Sequence, residues 1–169
     1  MSTLRFNTWQ NTGGTDVANS TLGTGKILQV AYAQTASAFS TTSTSYVDVD
    51  GLSVSITPRS ASSTILLMFA ASASALSSNQ LVDFQLDRNG TAIPGGGTYD
   101  ALINAQFIAN VGWEIKYPAV NYVDSPATTS ALTYKIQVKT SSGTAYLFRR
   151  SDTDVVTSYG SLIAMEVSA

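Results

Sequence analysis

Apolar and polar residues alternate with a period of two along several segments of the chain, a pattern that predicts half-buried β-strands. Residues 131–139 and 81–88 alternate most regularly, so one face of each strand is expected to meet a core. The apolar positions in these two segments are Val82, Phe84, Leu86, Leu132, Tyr134, Ile136 and Val138. Residues 64–74 are apolar on both faces at first, which indicates a central strand.

Turn residues separate these segments. Asn89-Gly90 directly follows the strand at 81–88 and favours a tight hairpin turn. Ser141-Ser142-Gly143 predicts a second turn, after which residues 144–149 would return as the hairpin partner of the preceding strand. Asp50-Gly51 predicts a hinge between two short strands within FSTTSTSYVDVDGLSVSI. Further strands are predicted at residues 26–34, 46–49, 52–57, 64–74, 91–93, 111–117, 120–124 and 161–167.

Two regions depart from this pattern. Residues 101–110 (ALINAQFIAN) fit either a short helix or a strand, and the surrounding β-pattern favours a strand or an irregular loop. Residues 1–25 are rich in Gly, Thr and Asn and show no periodic pattern. The chain is therefore predicted to be an N-terminal arm, residues 1–25, followed by one all-β antiparallel sandwich domain, residues 26–169.

Composition points to an assembly component. Charged residues make up 12% of the chain, about half the ~25% of an ordinary soluble domain, whereas hydrophobic residues make up 44%. A weakly charged, hydroxyl-rich surface favours contact between copies. The formal net charge is −2, and Arg149-Arg150 is the one adjacent basic pair, so the sequence excludes a basic nucleic-acid-binding face.

The sequence excludes most catalytic and metal chemistry. It contains no cysteine and no histidine, so it cannot form a Ser-His-Asp triad, a thiolate nucleophile or a thiolate or imidazole metal site. No cofactor is expected. The longest apolar run, residues 65–71, is far shorter than the ~18 residues of a membrane span, and the N-terminus has no apolar core of a secretory signal.

The acidic residues have simple explanations. Asp48 and Asp50 are expected to be solvated carboxylates on the outer face of a strand rather than calcium ligands. Asp152 and Asp154 are expected to pair with the neighbouring arginines. Glu114 lies in an apolar context that could suit a general acid. The chain is too short for the long β-helix of a typical depolymerase, and we do not expect an enzyme.

Two blocks of sequence carry a resemblance to a known module. Residues 40–68 (STTSTSYVDVDGLSVSITPRSASSTILLM) and 123–138 (VDSPATTSALTYKIQV), with the closing strand LIAMEV, resemble a β-sandwich module of tailed-phage and cyanophage virion proteins. This resemblance implies a jelly roll, similar in shape to tumour-necrosis-factor-like domains, that assembles as a homotrimer. Phages use the module on fibres, spikes and capsids, so the resemblance leaves the place on the particle open.

Three groups of residues are candidates for binding. The first is a hydrophobic cluster in the arm, which is expected to dock on a capsid protein because buried aromatic residues dominate interface energetics; the alternative is that the arm folds back on its own sandwich. The second is a set of aromatic residues in the middle region that could contact a receptor or protein, or plug one end of the sandwich. The side chains of the third group could face either the core of the sandwich or the threefold axis of a trimer. The first group, in the arm, is Leu4, Arg5, Phe6 and Trp9. The second group, in the middle region, is Tyr99, Trp113, Tyr117 and Tyr122. The third group is Tyr134, Ile136, Tyr146 and Phe148.

These observations favour a capsid decoration or cement protein on the virion surface, assembled in the host cytoplasm. Its partners would be two further copies of itself and the major capsid protein or another virion protein. The short arm favours decoration over a fibre, which usually needs a long shaft. The alternative is a short tail fibre or receptor-binding tip that recognises a host glycan or protein. Neither function involves nucleic acid or a membrane.

Overall fold

The computed structural model describes residues 25–93, 101–108, 114–152, 155–156 and 158–169. These residues form thirteen β-strands. The strands are β1 Ile27–Thr35, β2 Phe39–Thr41, β3 Val47–Ile56, β4 Thr64–Ala70, β5 Ala73–Ala75, β6 Gln80–Arg88, β7 Thr91–Ile93, β8 Ile103–Phe107, β9 Ile115–Lys116, β10 Ala119–Asp124, β11 Leu132–Thr140, β12 Ala145–Leu147 and β13 Gly160–Val167. Within the described ranges there is no helix of the length and apolarity needed to cross a membrane.

The strand pairs are nested one inside another, and every pair is antiparallel. The outermost pair joins β1 to β13, and successive inner pairs join β2 to β12, β3 to β11, β4 to β10 and β5 to β9. At the centre, β6 pairs with both β7 and β8. A long antiparallel hairpin rolled up in this way is a jelly roll, which confirms the predicted fold class.

The rolled hairpin forms two main sheets and one small sheet. The four-stranded sheet has the order β1-β13-β4-β10, and the five-stranded sheet has the order β3-β11-β6-β7 with β8 also paired to β6. Four short strands form the small sheet, in the order β2-β12-β5-β9. The inner faces of the two main sheets enclose a core in which Phe84, Ile136 and Leu162 have no exposed surface.

The hairpin predicted at Asn89-Gly90 is confirmed. Arg88 and Thr91 are paired on either side of it, in β6 and β7. Asn89 has a φ of 52° and Gly90 a φ of 86°. Positive φ at both central residues matches the two-residue turn whose twist suits a β-hairpin.

The predicted hinge at Asp50-Gly51 is instead a β-bulge within one strand. β3 runs without a break from Val47 to Ile56, and its register against β11 shifts between Lys135 and Gln137. Gly51 has a φ of 80°, and a Cβ there would lie 2.9 Å from the Thr35 side chain. Between the pairs Ser53–Lys135 and Asp48–Gln137, β3 has four residues where β11 has one, so the bulge holds three extra residues. The glycine therefore allows the bulge and a close approach to β1, and not a chain reversal.

The predicted hairpin between residues 131–139 and 144–149 is wrong. β11 pairs with β3 and β6, whereas β12 pairs with β2 and β5 in the small sheet. Ser141–Gly143 does turn the chain, but it carries the chain from one sheet to another. A turn sequence determines where the chain reverses its direction. Which strands pair with each other is determined by the nested order of all the strands in the jelly roll.

Two other predictions are resolved by the structure. The strand predicted at 64–74 is divided at Ala71 and Ser72 into β4 and β5, which belong to different sheets. The ambiguous segment 101–110 contains the strand β8, which pairs with β6, as the favoured alternative predicted. Residues 109–113 lie outside the described part.

Candidate functional site

The outer surface of the four-stranded sheet is apolar. We call this surface the apolar face and define it by seven side chains: Val30, Tyr32, Leu66, Met68, Val123, Ile163 and Met165. Tyr32 is 77% exposed and Val30 is 53% exposed, and Val123 is likewise exposed. The other four are half-buried by their neighbours in the sheet.

The strand register aligns these side chains in rows across all four strands. One row consists of Val30, Met165, Leu66 and Val123, each directly opposite the next. The next row consists of Tyr32, Ile163, Met68 and Asn121 in the same order. Side chains opposite one another in neighbouring strands lie about 5 Å apart, so the rows merge into one continuous surface.

The local sequence explains why both faces of this sheet are apolar. In β13, Leu162 and Ala164 are buried in the core, while Ile163 and Met165 point the other way. Ile163, Met165 and Val167 share one face of this strand, and that face is the outer one. β4 is likewise apolar at successive positions. Consecutive apolar residues in β4 and β13, which place apolar side chains on both faces of the sheet, are the sequence feature that indicates this surface.

The outer face of the five-stranded sheet is polar by contrast. Asp48 accepts hydrogen bonds of 2.8 Å from Lys135 Nζ and from Gln137 Nε2. These bonds, the one from Lys135 foremost, hold the pKa of Asp48 below its ordinary value. Ser55 and Thr133 share a hydrogen bond of 3.1 Å nearby on the same face. The two outer faces of one sandwich thus differ sharply in chemistry.

A buried polar cluster joins the two sheets. Arg88 NH1, at the end of β6, donates to both carboxylate oxygens of Asp124 at 2.7 Å. Tyr134 OH, in β11, donates to Asp124 Oδ2, also at 2.7 Å. Burial, followed by the hydrogen bond to Asp124, raises the pKa of Tyr134, so its hydroxyl stays protonated and keeps donating. Because Asp124 ends β10 in the other sheet, the cluster fixes the sheets to each other.

Glu166 forms a second polar cluster at the same end of the sheet, in one row with Ile65 and Asp124. Its side chain is fully buried and accepts hydrogen bonds of 2.7 Å from Gln29 Nε2 and from the backbone N–H of Arg59. Burial by itself raises the pKa of Glu166, but the nearby Ser63 hydroxyl, the Gln29 amide and two backbone N–H groups outweigh it and hold the pKa below its ordinary value. The carboxylate therefore ties β1 and the loop after β3 to β13.

Three of the four residues predicted for a trimer interface belong to the core. Tyr134, Ile136 and Phe148 have no exposed surface, so their side chains cannot contact a second copy. The sequence left the core and a threefold axis open for these residues, and the structure places all three in the core. Tyr146 is half-buried, and the Arg149 guanidinium lies 4.6 Å above its ring.

The other predicted binding residues are only partly described. Leu4, Arg5, Phe6 and Trp9 lie outside the described residues, and so do Tyr99 and Trp113. Tyr122 is half-buried and packs against the core. Tyr117 is 70% exposed, which leaves it the one described member of the aromatic group that presents its ring to solvent.

Tyr117 lies beside a groove. Residues 103–106 of β8 form one wall of the groove, and residues 116–119 form the other. The groove has a volume of about 460 Å³ and is open to solvent. Its polar side chains are Asn104 and Gln106, both exposed, and Lys116.

Two further acidic residues, Glu114 and Asp152, form ion pairs. Arg150 pairs with Asp152, as predicted, while Asp154 lies outside the described part. Glu114 Oε1 lies 2.7 Å from Lys116 Nζ and forms an ion pair with it, while Glu114 Oε2 is buried without a hydrogen-bond partner among the described residues. Among the described residues, no group of three or more His, Cys, Asp or Glu side chains could hold a metal ion.

No protein-family model and no curated protein match the chain. Solved structures that are similar to it include VP2 of infectious bursal disease virus, a viral capsid protein. The Gt strain structure is 14% identical, with a TM-score of 0.45, over 83% of this chain and 38% of that chain. The VP2 subviral particle is 13% identical, with a TM-score of 0.40, over 85% of this chain and 38% of that chain. The chain therefore spans well under half the length of VP2.

Dimeric latent PorU from Porphyromonas gingivalis is also similar. It is 13% identical, with a TM-score of 0.37, over 95% of this chain and 14% of that chain. At these identities and TM-scores the likeness carries no information on function. The function has to be inferred from the residues of this chain.

Proposed function

We propose that this chain is a phage virion structural protein that assembles as a homotrimer and decorates or cements the head shell through residues 1–25. The observation that carries the proposal is the contrast between the two outer faces of the sandwich. One face is apolar across four strands, and the other is covered by hydroxyl, amide and charged groups. Contiguous apolar surface of this kind marks a protein contact site.

The size of the apolar face suits the centre of an interface. Four strands about 4.8 Å apart and two rows of side chains about 6.7 Å apart give an area of about 260 Å². A stable interface buries about 800 Å² on each partner, and its apolar centre is surrounded by a polar rim. The apolar face would therefore supply the centre, and the surrounding Ser, Thr and Asn residues would supply the rim.

A second copy of the chain is the partner that best matches this face. A homotrimer is the assembly implied by the sequence resemblance, and the low charge of the chain favours contact between copies. The apolar face replaces the core residues Tyr134, Ile136 and Phe148 as the proposed trimer surface. Three arms on one trimer would then multiply a weak contact of Leu4, Arg5, Phe6 and Trp9 with the shell by effective concentration.

Deleting residues 1–20 tests the attachment. We expect the shortened chain to remain trimeric but to lose its binding to purified phage heads, while the full chain binds. If the shortened chain binds heads as well as the full chain does, the arm is not the anchor. If neither binds heads, the decoration role is contradicted whatever the oligomeric state.

A receptor-binding tail protein is the second candidate function, and the exposed ring of Tyr117 beside the groove favours it. Locating the chain on intact particles separates the two functions. Decoration requires many copies over the shell, whereas a tail tip carries a few copies at one vertex and its loss abolishes adsorption to the host.

A further inference from the structure

The groove beside Tyr117 lies between the edges of two sheets. Four consecutive residues of β8, Ile103 to Gln106, form its first wall. Side chains alternate between the faces of a strand, so a run of consecutive residues means that the groove follows the edge of the strand. β8 pairs with β6 along its other edge, and no described strand pairs with β8 on the groove side.

The side chains of the groove combine one exposed ring with two amides. Tyr117 is 70% exposed and presents the apolar face of its ring and a hydroxyl. Asn104 and Gln106 are two residues apart on β8, so their amide groups lie on the same side of the strand. Each amide offers two N–H donors and a carbonyl acceptor, and both are exposed in the described structure.

The charge of the groove is balanced. Among the described residues of its walls, Lys116 carries the one formal charge, and Glu114 compensates it at 2.7 Å. A ligand with a net charge would therefore gain little Coulomb energy here, while a neutral ligand rich in hydroxyl groups could use both amides. A volume of about 460 Å³ lies within the range of small-ligand sites.

The second wall argues against an added β-strand as the occupant. Pro118 has no N–H to donate, and its carbonyl already accepts a hydrogen bond of 3.0 Å from Ala71 N. A strand in the groove would therefore find a continuous ladder on β8 alone. A ring beside two amides instead matches a sugar, whose C–H face stacks on an aromatic ring while its hydroxyls bond to amides.

We propose that this groove binds a neutral saccharide, with Tyr117 as the stacking platform and Asn104 and Gln106 as the hydrogen-bonding groups. This site is independent of the apolar face and does not require the decoration role. It would suit either a shell protein that holds the particle on a host surface or the tail-tip alternative.

Amide chemical-shift mapping of the full chain tests the site, with maltotriose, cellotriose, chitotriose and mannotriose as neutral probes and trigalacturonate as an anionic one. We expect at least one neutral probe to shift the backbone amides of residues 103–106 and of Lys116, Tyr117 and Ala119. Tyr117→Ala should weaken that probe about three- to tenfold, as expected for loss of one stacking contact, and Tyr117→Phe should restore most of the binding. Asn104→Ala combined with Gln106→Ala should also weaken it.

Tyr32→Ala is the matched control, because Tyr32 is equally exposed but lies in β1, at the opposite edge of the four-stranded sheet from β10. It should leave saccharide binding unchanged even if it alters the oligomeric state. The proposal is overturned if no neutral probe shifts these amides at about 10 mM, the weak end of specific binding. It is also overturned if only the anionic probe binds, or if Tyr32→Ala weakens binding as much as Tyr117→Ala.

Discussion

Tyr32 in β1 lies directly opposite Ile163 in β13, and both side chains stand on the outer surface of the four-stranded sheet. Tyr32 is 77% exposed, so the pair is packed within its own sheet but uncovered by any other described layer of the chain. A tyrosine and an isoleucine paired in this position stabilise the sheet modestly. Most of the free energy available from burying them is left for a contact with another molecule.

The first prediction concerns this surface. Replacing Val30 and Tyr32 by lysine should dissociate the proposed trimer, because two charges would be buried without partners in the interface that we propose. The fold should survive, since both side chains are exposed in the single chain. Size-exclusion chromatography with light scattering measures the change in mass, and circular dichroism checks the fold.

The matched control for that variant is Ser53→Lys combined with Ser55→Lys. These residues have the same spacing along β3, are exposed, and lie on the polar outer face of the other sheet. The control should keep the oligomeric state of the natural chain. Equal dissociation of both variants would mean that added charge, and not the apolar face, governs assembly.

The second prediction concerns the Tyr134–Asp124 hydrogen bond. Tyr134→Phe removes the hydroxyl that donates to Asp124 over 2.7 Å in a buried site, and should lower the free energy of unfolding by about 1–3 kcal/mol. Tyr146→Phe should cost much less, because Tyr146 is half-buried. Urea denaturation at one fixed protein concentration compares the two; a change of similar size in both variants would contradict the role assigned to Tyr134.

The third prediction concerns acid stability. The pKa of Glu166 is lowered in the folded chain, so its carboxylate favours the folded state above the ordinary pKa of 4.5, and this stabilisation is lost as the pH falls through the folded pKa. Glu166→Gln should reduce stability at neutral pH, because an NH₂ group would replace one carboxylate oxygen that accepts a hydrogen bond, and it would face the N–H groups that now donate to that oxygen. It should also flatten the fall in stability below about pH 4.5.

Melting temperatures between pH 2 and pH 7 measure this dependence. Asp50→Asn serves as the control, since Asp50 is exposed on β3. If the melting temperature of Glu166→Gln falls at acid pH as steeply as that of the natural chain, Glu166 does not contribute to the pH dependence of folding.

The fourth prediction concerns the contact between Gly160 and Phe148. A Cβ at Gly160 would lie 2.2 Å from Phe148 Cε1, and Phe148 is fully buried, so Gly160→Ala forces the ring to move. We expect a cost of about 1–3 kcal/mol. Phe148→Leu should relieve part of it, so the double variant should be more stable than the sum of the two single effects predicts. Strict additivity would show that the two residues do not compete for the same space.

Local patterns predicted the strands better than they predicted the pairings. The alternation around Tyr134 and Phe84 gave the right strands and the right buried faces, because one side of each strand is polar. The partner of β12 was predicted wrongly, since a hairpin is the default after a short turn and the roll overrides it. The sequence predicted a break between two strands at Gly51, because a glycine within a β-bulge cannot be told from a glycine at a hinge by the local sequence.

The candidate surface could have been found from the sequence but was not. Ile163 and Leu162 are neighbours in β13 and both are apolar, so alternation cannot decide which of them faces the core. For Tyr134 and Ile136 the sequence left the core and a threefold axis open, because alternation does not show which sheet face meets the core. The structure shows which face it is, and it moves the proposed interface to the apolar face.

Sedimentation velocity of the full-length chain at micromolar concentration is the most direct test of self-association through the apolar face. We expect a single species of three times the chain mass, which Val30→Lys with Tyr32→Lys converts to a folded monomer. A natural chain that sediments as a monomer throughout this range would contradict the account.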